Sequence, residues 1–63
     1  MVTTDLVKEI LREAKVPLSV DEIAARIATR TGSSCDTADV MDALDDLVQL
    51  GEVTRNGNQY SLA

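Results

Sequence analysis

Residues 40–53, Val-Met-Asp-Ala-Leu-Asp-Asp-Leu-Val-Gln-Leu-Gly-Glu-Val, with Thr-Arg-Asn-Gly-Asn-Gln-Tyr-Ser-Leu after them at 54–62, decide the fold. Val40, Leu44 and Leu47 recur at spacings of four and three, which is one face of a helix. Ala43, Val48 and Leu50 flank that stripe, and Gly51 supplies the stop. Beyond it, residues 52–55 and 58–62 read as two short strands around Asn56-Gly57. Asn-Gly between such runs predicts a hairpin on a type I′ turn, which needs positive φ at both central residues. In that register Val53 faces Tyr60 and Leu62 points to the same side, so these three close a core from below.

Upstream, Ser33-Ser34-Cys35 forms a turn into this third helix. Asp36 is its expected N-cap, Asp39 occupies the capping-box position, and Cys35 with Val40 forms the hydrophobic staple. Cys35 reads as a small buried apolar residue, because no neighbouring base would activate its thiol. A second helix begins after Ser19, which is followed three residues later by Glu22, a capping box. Leu18 and Ile23 staple it, Ile23, Ala24 and Ile27 form its apolar face, and Thr31-Gly32 ends it. Arg26 and Arg30 fall one turn apart near its negative end, where helix capping accounts for them. The first helix runs from Thr4 to about Ala14, with Leu6, Val7, Ile10, Leu11 and Ala14 on one face and Thr3 or Thr4 as cap. Lys8, Arg12 and Lys15 line its polar side beside Glu9 and Glu13. Val16-Pro17-Leu18 breaks it, since proline cannot continue a helix and pushes its predecessor toward extended geometry.

Eleven acids against six bases leave a net charge of −5. Between Asp36 and Leu50 lie five acids (Asp36, Asp39, Asp42, Asp45 and Asp46) and no base, while six acids and six bases cancel elsewhere. The whole net charge therefore sits on the third helix. At about 100° per residue, Asp39, Asp42, Asp45 and Asp46 lie opposite the Val40–Leu44–Leu47 stripe. An acidic excess of this kind also suits a high-salt cytoplasm.

The 63 residues hold no histidine and one cysteine. That excludes a disulfide staple and a zinc cluster, and it removes most nucleophile–base pairs, so neither an enzyme nor a cofactor is expected. Asp42, Asp45 and Asp46 at i, i+3 and i+4 can hold a hard cation loosely, but a solvated acidic face explains them without one. No apolar run approaches the ~18 residues of a membrane span, and no signal peptide is legible, so the expected location is the cytoplasm, without a membrane partner. No small-molecule pocket is readable. The expected domain is a single one covering residues 1–63, α+β in class.

Helix, helix, helix and a two-residue hairpin within 63 residues resembles a winged helix-turn-helix domain. The likeness covers nearly the whole chain. Its most specific part is Val40, Leu44, Leu47, Gly51 and Val53, which match the pattern V-x-x-x-L-x-x-L-x-x-x-G-x-V at the end of many winged-helix recognition helices. Residues 17–24, Pro-Leu-Ser-Val-Asp-Glu-Ile-Ala, look like the start of the second helix in that family, including ferric-uptake-type and MarR-type regulators. Residues 57–62 resemble the returning strand of a two-stranded wing.

The resemblance implies a DNA-binding protein, such as a small transcription regulator, with the third helix in the major groove and the wing on the adjacent backbone or minor groove. The groove-facing positions would be Thr37, Ala38, Met41, Asp42, Asp45 and Gln49. The wing tip would be Arg55, Asn56, Gly57 and Asn58. Arg26 and Arg30, with Lys8, Arg12 and Lys15, are the candidate backbone contacts. Here the chain departs from the family it resembles, which commonly carries Arg, Lys, Ser or Thr where this sequence has Asp42, Asp45 and Asp46. DNA affinity comes largely from phosphate neutralisation. Four carboxylates at roughly 0.5–1 kcal/mol of repulsion each oppose it. The alternative that the resemblance allows is a protein-interaction module. Asp39, Met41, Asp42, Asp45, Asp46 and Gln49 would then form the surface for a basic partner. Either way the expected state is a monomer or a weak homodimer, because no extra dimerisation helix is present.

Overall fold

The computed structural model describes residues 3–63. Three helices and three short strands follow one another as α1 (Thr4–Ala14), β1 (Leu18–Ser19), α2 (Val20–Thr31), α3 (Thr37–Gln49), β2 (Val53–Asn56) and β3 (Gln59–Leu62). The α+β class holds. The number of strands does not: β1 joins the hairpin, and the antiparallel sheet has the order β1-β3-β2. Leu18 pairs with Tyr60 and Ser19 with Gln59. Pro17 cannot continue α1 and disfavours helical backbone at Val16 before it, and beyond it the capping residue Ser19 is extended. Two residues read only as a helix stop and a cap thus also form a strand.

α1 is capped by Thr3, whose hydroxyl accepts from the Leu6 N–H at 3.2 Å. It ends on Lys15 in the left-handed region, φ 59°, with the Lys15 N–H donating to the Leu11 carbonyl. α2 begins on the expected capping box. The Glu22 N–H donates to Ser19 Oγ at 3.3 Å, and the Ser19 N–H donates to Glu22 Oε1 at 3.0 Å. α3 departs from expectation at its start. Asp36 occupies the N-cap position with extended backbone, but its side chain makes no capping hydrogen bond, and the box with Asp39 is absent. Its end is orderly. The Glu52 N–H reaches the Leu47 carbonyl and the Gly51 N–H reaches the Val48 carbonyl, both at 3.0 Å. This is a Schellman closure, with Gly51 at φ 78°.

The hairpin register is corrected by two residues. Val53 pairs with Leu62, Thr54 with Ser61, Arg55 with Tyr60 and Asn56 with Gln59, so Gly57-Asn58 is the turn. A type I′ turn on Asn56-Gly57 would need positive φ at Asn56, and only Gly57, at 67°, has it. Glycine in the first central position is the pattern of a type II′ turn. Shifting by two preserves the faces, because side chains alternate with a period of two. Val53 and Tyr60 are therefore buried as expected, with Leu62 packed beside them.

The core lies between the three helices and the inner face of the sheet. Val7, Ile10, Leu11, Ile23, Ile27, Val40, Ala43, Leu44 and Leu47 come from the helices, and Leu18, Val53 and Tyr60 from the strands. Of the three residues that flank the stripe, Ala43 joins this core, whereas Val48 and Leu50 are exposed. Cys35 is half-buried against this core and donates its thiol weakly to the Ala24 carbonyl, 3.6 Å away.

Candidate functional site

The burial of α3 fixes which of its residues face outward. Val40, Ala43, Leu44 and Leu47 are buried, which turns Thr37, Ala38, Asp39, Met41, Asp42, Asp45, Asp46 and Gln49 to solvent. Every third-helix residue expected at a groove or partner surface is thus on the exposed side. At about 100° per residue, Ala38, Asp42, Asp45 and Gln49 form the central ridge. Asp39 and Asp46 lie along one flank, and Met41 and Val48 along the other.

The electrostatics of this face are one-sided. Among the described residues the ion pairs are Lys8–Glu52 at 2.6 Å, Arg12–Glu9 at 2.9 Å, Arg30–Glu9 at 3.9 Å and Arg30–Glu13. None involves an aspartate of α3. Asp39–Asp42, Asp42–Asp45 and Asp42–Asp46 are like charges at i, i+3 or i, i+4, each costing a helix roughly 0.2–0.5 kcal/mol. Asp46 also stands in the last turn, at the negative end of the helix dipole, where no base is present. Asp39 suits the first turn of α3, but local helix energetics would favour removing the charges of Asp42, Asp45 and Asp46, so their presence is not explained by the stability of α3.

The basic residues are elsewhere, and several are occupied. Arg30 is bound by Glu13 across the α1–α2 interface rather than capping α2. Its guanidinium holds the Glu13 carboxyl below the usual carboxylate range, and Glu13 in turn raises Arg30. Glu22 is likewise held low, first by the Ser19 backbone N–H it accepts. Lys15, Arg26 and Arg55 have no ion-pair partner among the described residues. Arg55 folds back over the turn, Nε donating to the Gly57 carbonyl at 3.0 Å. Arg55, Asn56, Gly57 and Asn58 are all exposed at the tip of the hairpin.

Sequence reasoning missed the extent of the exposed apolar surface. Four large apolar side chains stand out among the described residues: Leu50 at 69% exposure, Val16 at 55%, Met41 at 48% and Val48 at 37%. Three of them border the acidic ridge or end its helix. Leu50 was legible as exposed only through the Schellman closure, which stops the helix before it can turn that side chain inward.

No three His, Cys, Asp or Glu side chains of the described residues converge as metal ligands. No helix of the described residues is long and apolar enough to cross a membrane. Neither a protein-family model, nor a curated protein, nor a solved structure matches the chain.

Proposed function

We propose that the chain is a winged-helix module that docks on a basic protein surface through the outer face of α3. The fold name is supported by the helix order and by the hairpin that follows α3 directly. The observation that carries the function is the α3 face itself: Asp39, Asp42, Asp45 and Asp46 are exposed and have no ion-pair partner among the described residues, and Met41 and Val48 are exposed along one flank. Acid beside apolar surface suits a partner that brings Lys or Arg next to large apolar side chains. Charge complementarity then sets encounter and orientation, and apolar burial contributes most of the affinity.

A second reading is contact with duplex DNA through the wing. It is favoured by the exposed Arg55–Asn58 tip, which carries Arg55, a base without an ion-pair partner among the described residues. In this reading α3 cannot supply phosphate contacts, because it presents no base.

Titration of ¹⁵N-labelled protein distinguishes the two. The probes are an amphipathic Lys/Leu peptide, a Lys/Ser peptide of equal charge, and a mixed-sequence DNA duplex, all at low salt. The expected result is that the Lys/Leu peptide shifts amides of α3, binds more tightly than the Lys/Ser peptide, and loses affinity in Asp42→Asn/Asp45→Asn/Asp46→Asn. DNA shifts at the wing, with no response of α3 to either peptide, would favour the DNA reading. Equal affinity for the two peptides, or an unchanged affinity in the triple variant, would remove the face from the mechanism.

A further inference from the structure

Three of the four exposed large apolar side chains of the described residues fall into two patches of opposite local charge. Met41 and Val48 flank α3, and Asp45 lies between them, one turn from each. Val16 belongs to the other patch, a groove of about 330 Å³ between the end of α1 and β3. Leu11 and Leu62 form its base, Val16 and Pro17 its wall, and Arg12 and Lys15 its rim. Arg12 is engaged by Glu9. Lys15 has no ion-pair partner among the described residues and is set at the rim by the left-handed cap of α1.

We propose that α3 of one molecule docks in the α1–β3 groove of a second copy, head to tail. Met41 and Val48 lie on Val16, Pro17 and Leu62, and Asp45 stands opposite Lys15. The inference rests on the reading of α3 as a docking face and names its partner. The net charge does not forbid the contact. The second copy carries its own acidic excess in residues 36–50 and balances six acids with six bases elsewhere, so at the groove the incoming helix meets Lys15 rather than that excess. The two patches share no residue, so the contact is heterologous and extends into chains unless a ring closes. One helix face against one short groove is a small interface, of the kind that forms transient assemblies.

Sedimentation equilibrium tests this with two variants blocked at exposed positions. Lys15→Glu/Val16→Ser closes the groove, and Met41→Ser/Asp45→Lys closes the helix. Circular dichroism checks that both remain folded. The weight-average mass of the wild type is expected to rise above 6.8 kDa as concentration approaches the millimolar range. Each variant alone stays monomeric under the same conditions. Mixed in equal amounts they form a one-to-one dimer and nothing larger, since one intact helix face meets one intact groove. A wild type that stays monomeric throughout, a mixture that stays monomeric, or a single variant that associates like the wild type would each overturn the proposal. Undiminished binding of the Lys/Leu peptide to α3 in that event would leave the docking reading standing with a different partner.

Discussion

Leu44 is the residue on which the α3 assignment turns. It is fully buried, at the centre of the stripe that also holds Val40 and Leu47. Shortening it removes three carbons from a site enclosed by all three helices. Large-to-small changes of this kind cost ~2–4 kcal/mol where the surroundings cannot collapse. A domain of this size has little more than that to lose. Leu44→Ala is therefore expected to lower the urea midpoint steeply or leave the chain largely unfolded. A near-wild-type midpoint would rotate α3 about its axis and withdraw the outward placement of Asp42 and Asp45. Gly51 matters at the same scale for a different reason. Its φ of 78° is what lets the Schellman closure end α3 and launch β2.

α3 is an element whose core face and outer face pull in opposite directions. Its buried face is strongly specified, whereas its outer face gathers like charges. Asp46→Lys relieves the Asp42–Asp46 repulsion, places a base at the negative end of the helix, and creates an acid-to-base pair at i, i+4 in the favourable order. It is expected to stabilise the fold by ~0.5–1 kcal/mol in urea unfolding while weakening the Lys/Leu peptide. Stability gained at the expense of binding would mark the acidic face as functional, whereas gain without loss of binding would not.

The same contrast between local and non-local signals explains what could be read from the sequence. All three helices were legible, because period-3.6 apolar spacing and the Ser19–Glu22 box are local signals. The exposed aspartates followed from that spacing alone. β1 was not legible, because a two-residue strand exists only through its pairing with Tyr60 and Gln59, far along the chain. The turn was misplaced by one residue because Asn-Gly and Gly-Asn both fit a two-residue loop. The groove beside Val16 brings together α1 and β3, and no local pattern announces that contact.

On the scale of the whole molecule, the bundle is tied together by a packed core and by side-chain links across elements. Lys8 of α1 bonds Glu52 ahead of β2, and Arg30 of α2 bonds Glu13 of α1. The links are exposed, so their worth is modest and screened by salt. Their pH dependence is nonetheless readable. Glu13, held by the Arg30 guanidinium, and Glu22, held by the Ser19 N–H, both titrate below the unfolded value of 4.5. A carboxyl whose folded pKa is depressed binds fewer protons in the folded state, so its contribution is complete above the unfolded pKa and disappears as pH falls through the folded one. Arg30 moves the other way, upward, and stays charged throughout this range. The contribution of these two carboxylates should thus be constant from about pH 8 to about pH 5 and decline below 4.5. Glu13→Gln/Glu22→Gln isolates it: the variant is expected to melt below the wild type at neutral pH and to converge with it in acid. Parallel curves at every pH would mean that Glu13 and Glu22 contribute nothing to the fold and that the buried core carries it.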